Sequence, residues 1–286
     1  MKTFLVPTDF SSNAENALYY AIDLAKKDKA KIILLHTYVI NYPVSYTSVD
    51  LITTERKEAL EYSEQQLKAE SMKIEHAGNI EYECVSDENS PVDGILNIIK
   101  EREIDLVIMG TKGKSNFANN IFGSNTATVI EKADCMVFAI PEDAAFKTIK
   151  KITYATTYNY NDLYPLKKVV EMAKLYSAQV NVLHIFETSK IESQKEEKEK
   201  MKLFMNEANS KINYNNMSFQ FLEGETVEDT LEDYINNDST NMLVLSTHHR
   251  GFFKRLFGKS ITRHMAYNST VPLMAFHAME TPVKVM

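Results

Sequence analysis

Short apolar runs alternate with amphipathic segments along the chain. The runs FLV, IILL and LVIM in the first half contain no polar residue, and segments such as NAENALYYAIDLAKKDK place apolar residues at helical spacing between them. Uninterrupted apolar runs are typical of strands buried on both faces of a parallel sheet. The alternation predicts an α/β fold with an open, mostly parallel, Rossmann-like sheet and helices on both faces. Ligands of such folds bind at the carboxyl ends of the strands.

The pattern occurs twice. His36 aligns with His184 at an offset of 148 residues, and Ser124 aligns with Ser260 at an offset of 136, which predicts a shorter middle in the second copy. We therefore expect two tandem domains, 1–145 and 146–286, joined near the stretch PEDAAFK. The closing segments CMVFAI and TVPLMAF are apolar and would be exposed as sheet edges. We expect them to pair within the chain, which would give a pseudo-twofold arrangement.

Glycines follow the run LVIM in the first half. Gly110 and Gly113 have two residues between them, and nine more residues precede Gly123 and Ser124. Glycines at a strand end let the backbone approach a ligand closely. Ser124 would begin a helix, whose free N–H groups and positive dipole end attract an anion such as phosphate. The alternative is that the glycines form ordinary turns and Ser124 only caps a helix.

The spacing Gly-x2-Gly-x9-Gly-Ser resembles the nucleotide-binding signature of the universal stress protein family. The resemblance extends to VPTDFS near the N-terminus and to LLH in the second apolar run, and it covers nearly the whole chain, with one copy in each half. It implies five-stranded parallel α/β domains, binding of ATP or AMP in some members, and dimerisation through the last strand. It implies no single defined reaction.

The resemblance also implies roles for individual residues. Those at the ends of the first two apolar runs would lie against the nucleoside, with the Asp9 carboxylate accepting hydrogen bonds from it and Thr37 lining the adenine pocket. Those at and after the end of the run LVIM would contact the adenine, the ribose and the phosphates. Asp9 could also act as a helix cap, with Ser11 or Ser12 as the alternative cap. The candidate nucleotide-binding residues are Pro7, Thr8, Asp9, Thr37, Met109, Gly110, Lys112, Gly113, Gly123, Ser124, Asn125 and Thr126.

The second half lacks most of this signature. Gly110, Gly113 and Gly123 align with Ser246, His249 and Lys259, and Asp9 aligns with Thr157. We therefore expect one nucleotide site per chain. The stretch GFFKRLFGKS does not have the glycine spacing of a P-loop. The basic residues around it, between positions 248 and 264, could bind an anion or a partner, or could simply form a solvated loop.

Composition narrows the class of protein. The chain has 286 residues and a net charge of −7, which argues against nucleic-acid binding. It contains no apolar run long enough to span a membrane, and its first residues do not resemble a signal peptide. Cys84 and Cys135 have no metal-ligand spacing, so we expect buried structural thiols and a cytoplasmic protein.

Three functions are compatible with the sequence. The first is a stress-response regulatory protein that binds ATP or AMP at one site and interacts with an unidentified protein partner. The second is a slow nucleotide hydrolase, in which Asp9 could hold Mg²⁺ through a phosphate, although the glycine loop has no second acid and no nucleophile–base pair beside it. The third is a nucleotide-independent interaction module. No residue is a candidate for a catalytic or a metal-binding role, and association of two chains stays open.

Overall fold

The computed structural model describes residues 1–40, 49–111, 123–158, 160–188, 194–246 and 271–276. The chain divides into two units, of which the first ends at Glu142 and the second begins at Asp143. The elements of the first unit, in chain order, are β1 (Thr3–Pro7), α1 (Ser12–Asp28), β2 (Lys31–Thr37), α2 (Val49–Ala77), β3 (Tyr82–Asp87), α3 (Pro91–Glu101), β4 (Leu106–Gly110), α4 (Ser124–Lys132) and β5 (Met136–Ile140).

The strands of the first unit lie in the order β3-β2-β1-β4-β5. All the strand pairs described within this unit are parallel. The chain adds strands on one side of β1 and then crosses to the other side at β4, so the strand order reverses between β1 and β4. In open α/β sheets the crevice at such a reversal is the usual place for a ligand.

The second unit repeats this plan. Its strands lie in the order β10-β9-β6-β7-β8, and the described pairs are again parallel. Its elements are β6 (Lys151–Ala155), a short 3₁₀ turn (Tyr160–Asp162), α5 (Leu163–Tyr176), β7 (Gln179–Glu187), α6 (Gln194–Lys211), β8 (Met217–Gly224), α7 (Val227–Asn237), β9 (Met242–Ser246) and β10 (Leu273–Phe276).

Strand register confirms the internal repeat. Phe4 pairs with Leu106 in the first unit, and Ile152 pairs with Met242 in the second, which gives the offsets of 148 and 136 that the sequence predicted. The predicted shorter middle is also present, because α6 has 18 residues and α2 has 29. The predicted α/β fold with a mostly parallel sheet is confirmed. The pairing of the two closing segments and the pseudo-twofold arrangement stay predictions.

One reciprocal pair of hydrogen bonds begins the central strand pair in each unit. The N–H of Thr3 donates to Oδ2 of Asp105 over 2.8 Å, and the N–H of Asp105 donates to the carbonyl of Thr3 over 3.0 Å. In the second unit Lys151 and Asn241 make the same two bonds, both at 2.9 Å. A side chain thus satisfies a backbone donor at the strand end, and the contact fixes the register of two strands that are distant in sequence.

The strands formed by the apolar runs are buried. Two other strands, β3 and β8, are less buried, and each lies at one end of the strand order of its unit. The interior residues of β1, β2, β4 and β5 are buried, whereas β3 and β8 are only half-buried. The expectation of two buried cysteines is therefore wrong: Cys84 lies exposed on β3, and Cys135 is half-buried. In its unit β3 pairs only with β2, so fewer neighbours cover its side chains. For Cys135, burial still raises the pKa of the thiol to about 12.

A residue with a left-handed backbone conformation ends the first helix of each unit, and substitution of these two residues tests that conformation. Lys29 ends α1 with φ 54°, and Ser177 ends α5 with φ 53°. This conformation strains any residue with a Cβ. Lys29→Gly and Ser177→Gly should each raise the free energy of unfolding by roughly 0.5–1 kcal/mol, measured by urea denaturation.

Lys26→Gly is the matched control, since Lys26 lies exposed in the last turn of α1. It should lower the free energy of unfolding by about 1 kcal/mol. Equal destabilisation by all three glycines would contradict the left-handed caps.

Candidate functional site

Three strands of the first unit end at the same edge of the sheet. They are parallel, and they end at Pro7, Thr37 and Gly110. The candidate residues Thr8, Asp9 and Met109 adjoin these ends, so the sheet brings the three groups of predicted residues to one edge. Thr8 and Met109 are buried, and Asp9 is half-buried.

The loop after β1 is held by local hydrogen bonds. The N–H of Thr8 donates to the carbonyl of Leu35 over 2.8 Å, and the N–H of Phe10 donates to the Thr8 hydroxyl over 3.0 Å. Oδ1 of Asp9 accepts from the N–H of Ser11 over 3.1 Å. Ser11 caps α1, because its hydroxyl accepts from the N–H of Ala14. The carboxylate of Asp9 is therefore fixed just ahead of the helix.

Phe10 adopts an unusual backbone conformation in this loop. Its φ is 61°, in the left-handed region that bulky residues rarely adopt. The ring lies 4.4 Å from the His36 ring between centroids. Nδ1 of His36 lies 2.8 Å from Oγ of the buried Ser63. The same Oγ lies 2.7 Å from Oγ of Ser86. The end of β2 is thus held by the ring contact between Phe10 and His36 and by the hydrogen bonds that link His36, Ser63 and Ser86.

Thr37 lies against α3. A Cβ placed on Gly94 would lie 2.5 Å from the Thr37 methyl group and 2.8 Å from Oδ2 of Asp87. Asp87 pairs with Thr37 across the strands, and its carboxylate accepts from the side chain of Asn89. The absence of a side chain at Gly94 lets α3 approach the strand end that carries Thr37.

The end of β4 is joined directly to α4. The hydroxyl of Thr126 donates to the carbonyl of Gly110 over 2.8 Å, so the structure brings these two candidate residues together. Thr126 is buried, and its hydroxyl proton is engaged within the protein. The hydroxyl oxygen keeps lone pairs for a further donor, but the side chain acts first as a tie between strand and helix.

The N-terminus of α4 is open. Gly123 is the residue before the helix, and no side chain in the described part of the chain caps the N–H groups of the helix. The N–H of Gly123 itself donates to the carbonyl of Thr111, and the first bond within the helix runs from Ala127 to Gly123. The N–H groups of the first helical turn, which includes the exposed Ser124 and Asn125, consequently have no acceptor inside the helix. Such a turn can receive an anion.

Two candidate residues, Lys112 and Gly113, lie outside the described residues, as does the basic stretch 248–264. Sequence reasoning missed Asn13, Gly94 and Thr111, which all contact the strand ends. A signal was present for one of them: Asn13 is a polar residue on the otherwise apolar face of α1 that carries Ala17 and Leu24. Asn13 is 3% exposed, and its Nδ2 donates to the carbonyl of Ile140 over 3.0 Å.

The corresponding edge of the second unit has a different chemistry. Oδ2 of the fully buried Asp162 accepts from the Thr156 hydroxyl over 2.7 Å and from the N–H of Thr157 over 3.3 Å. Tyr158, the counterpart of Phe10, also has a left-handed backbone with φ 57°. Its hydroxyl donates to the carbonyl of Gln220 over 3.1 Å. Thr157, which aligns with Asp9, thus bonds inward to a carboxylate.

Aromatic rings surround His184 in this unit. The ring centroid of Tyr158 lies 4.9 Å from that of His184, and Phe221 lies at 5.6 Å. Nδ1 of His184 is 2.8 Å from the carbonyl of Thr156, which can only accept, so Nδ1 carries the proton. Burial lowers the pKa of His184, against the opposing effects of the Thr156 carbonyl and of Glu197.

Comparison with known proteins agrees with this architecture. A family model described as "Universal stress protein family" matches residues 1–141 and again 148–277. A universal stress protein of Methanocaldococcus jannaschii is 29% identical over 146 residues, which are 49% of this chain and 81% of the relative. One from Methanothermobacter thermautotrophicus is 26% identical over 147 residues, 49% of this chain and 94% of the relative.

A solved structure extends the likeness to the whole chain. A universal stress protein from Archaeoglobus fulgidus superposes with a TM-score of 0.73 and 18% identity, covering 97% of each chain, which supports the fold. The two units are thus doubly wound parallel α/β domains in tandem. The chain belongs to the universal stress protein family, and both of its halves match the family.

Membrane-spanning helices and metal-binding clusters are both absent from the part of the chain that the structure describes. None of the helices described is long and apolar enough to cross a membrane. Within the same part of the chain, no group of three His, Cys, Asp or Glu side chains is placed to hold a metal ion.

The buried His184 makes the stability of the protein depend on pH. Because its folded pKa is lowered, the unfolded chain binds a proton more readily near pH 6.5, so stability should fall as pH drops from about 7 to 5. His184→Asn keeps a donor for the Thr156 carbonyl but cannot titrate. The variant should lose less stability over this pH range than the wild type, measured by urea denaturation.

His76→Asn is the control, because His76 is exposed at the end of α2. It should follow the wild-type pH dependence. A pH dependence of His184→Asn as steep as that of the wild type would show that His184 does not contribute.

Proposed function

We propose that the first unit binds an adenine nucleotide, ATP or AMP, at the carboxyl ends of β1, β2 and β4, and that the protein acts by binding. In this role it is a cytoplasmic regulatory or interaction protein of the stress response, whose nucleotide state alters its contacts with a protein partner or with a second copy.

The open start of α4 carries this proposal. It combines a positive dipole end and N–H groups that have no acceptor within the helix with the absence of a capping side chain among the described residues. A helix start left this way in water is stabilised by an anion, and the phosphates of a nucleotide supply one. The bond from Thr126 to Gly110 places this helix start beside the end of β4. Lys112 and Gly113, which stand between Gly110 and Gly123 in sequence, would complete the phosphate cradle with Ser124 and Asn125.

The nucleoside would lie along the ends of β1 and β2. Pro7 and Thr8 would form its floor, the half-buried Asp9 would accept a hydrogen bond from its ribose or base, and Thr37 and Met109 would line the adenine. Oδ1 of Asp9 already accepts from Ser11, which holds the carboxylate in place without neutralising it. A Mg²⁺ ion would arrive with the phosphates, and Asp9 could hold it through a phosphate.

Binding should be confined to one site per chain. In the second unit Thr157 stands where Asp9 does, and its N–H is bonded to the buried Asp162 carboxylate. Isothermal titration of the purified protein with ATP should give about one nucleotide per chain. Mass spectrometry of nucleotide released from freshly purified protein would identify the natural ligand. Two equivalent sites, or no binding at millimolar ATP and AMP, would overturn the proposal.

A substitution at Gly123 tests the position of the phosphates. Gly123→Glu adds a side chain and a like charge at the start of α4, so it should weaken ATP binding by at least ~2 kcal/mol, roughly thirtyfold. Titration calorimetry measures the change, and circular dichroism must show a folded variant.

Lys259→Glu is the matched control, because Lys259 aligns with Gly123 in the second half. It should leave the affinity within about a factor of two, because its half of the chain lacks the glycine signature. The opposite result, with Lys259→Glu abolishing binding and Gly123→Glu sparing it, would place the nucleotide in the second half.

A further inference from the structure

We infer that Asn13 is a positioning residue of the site and that Gly110 is a glycine because Asn13 lies against it. The inference rests on the proposed function, since what Asn13 positions is the strand end on which the nucleotide would lie. It gives Gly110 a packing role that the motif alone does not indicate.

Steric contact at the end of β4 is the first observation. A Cβ placed on Gly110 would lie 2.5 Å from Oδ1 of Asn13 and 2.7 Å from its Cγ, with the Asn13 carbonyl carbon at 3.1 Å. Contacts under 3 Å between such atoms require one of them to move. The space next to Gly110 that a side chain would fill is thus already occupied by the protein itself.

Asn13 is fixed in that place by a buried hydrogen bond. Its Nδ2 donates to the carbonyl of Ile140, the last residue of β5, over 3.0 Å. Asn13 belongs to the first turn of α1, so a single side chain contacts the ends of two adjacent strands from the helix that follows β1. Thr126 holds the carbonyl of Gly110 from α4. The strand end is therefore held by both α1 and α4.

The second unit does not keep the combination of a glycine on the strand and a buried asparagine on the helix. Gly110 aligns with Ser246, which is 3% exposed and does have a Cβ. Asn13 aligns with Asn161, which is exposed and lies on the 3₁₀ turn Tyr160–Asp162 rather than on a helix like α1. A side chain on the strand thus accompanies an asparagine that has left the interior. Within one chain, the two positions have changed together.

A double-mutant cycle tests the inference. Gly110→Ala should lower the affinity for ATP at least tenfold, because its methyl group displaces Asn13 or the strand end. Asn13→Ala, which releases the strand end, should lower the affinity about fivefold. In the double variant the Asn13 side-chain atoms that crowd the alanine methyl are absent, so the affinity should recover to about that of Asn13→Ala, at least twofold above that of Gly110→Ala. Titration calorimetry measures affinity, and urea denaturation measures stability on the same samples.

Two controls separate positioning from a general loss of stability. Ile22→Val removes one buried methyl group about 13 Å further along α1 and should leave the ATP affinity unchanged. Asn161→Ala, at the exposed counterpart, should leave the affinity unchanged. An affinity of the double variant as low as that of Gly110→Ala would show that the ligand itself requires the glycine, and would overturn the inference.

The cycle also separates this inference from the proposed function. If the wild type binds no adenine nucleotide, the proposed function fails. The stability of the four proteins would still report on the contact. If the losses of stability in Asn13→Ala and Gly110→Ala simply add in the double variant, the two residues do not interact, and the inference fails by itself.

Discussion

Hydrogen bonding between β1 and β4 joins two stretches of chain that lie about a hundred residues apart, and the proposed site depends on this pairing. The reciprocal bonds of Thr3 and Asp105 begin it, and the parallel register then carries both strands to the same edge. This pairing brings the loop with Asp9 and the strand end with Gly110 to a common edge of the sheet. The second unit keeps the same two bonds through Lys151 and Asn241, although its edge residues differ. The scaffold is therefore independent of the chemistry at its edge.

The left-handed aromatic residue after the first strand of each unit belongs to this scaffold. Phe10 and Tyr158 both accept the strain of a positive φ, and both place a ring against the histidine that follows in the next strand. Strained residues often mark functional sites. Here the strain occurs both in the unit with the glycine signature and in the unit without it. Its role is thus to close the loop over the neighbouring strand, and it is not evidence for a ligand by itself.

The sequence predicted the parts of the fold that depend on repeated pattern, and it failed where a single contact decides. Apolar runs identified the buried strands, because burial on both faces leaves little choice of residue, and the aligned pairs His36–His184 and Ser124–Ser260 gave the two offsets. The same reasoning gave the wrong burial for Cys84, since sequence does not show that β3 lies at the end of its strand order. It gave the candidate residues of the site through the glycine spacing, but not Asn13, whose partner Ile140 is 127 residues away.

Glycines in a binding signature can serve the ligand or the protein, and the two roles have different consequences for the second unit. Gly110 is explained by the Asn13 side chain, whereas Gly123 precedes a helix start that none of the described side chains caps. Loss of a glycine in the second unit is then not sufficient to argue that binding is lost. The stronger argument is hydrogen bonding. Asp162 is fully buried and takes up the N–H of Thr157 and the hydroxyl of Thr156 at the end of β6. This carboxylate occupies donors that a ligand at the edge would use, whereas the Asp9 carboxylate of the first unit accepts from the N–H of Ser11 in its own loop. We therefore expect the second unit to disfavour the nucleotide through engaged donors as well as through added bulk.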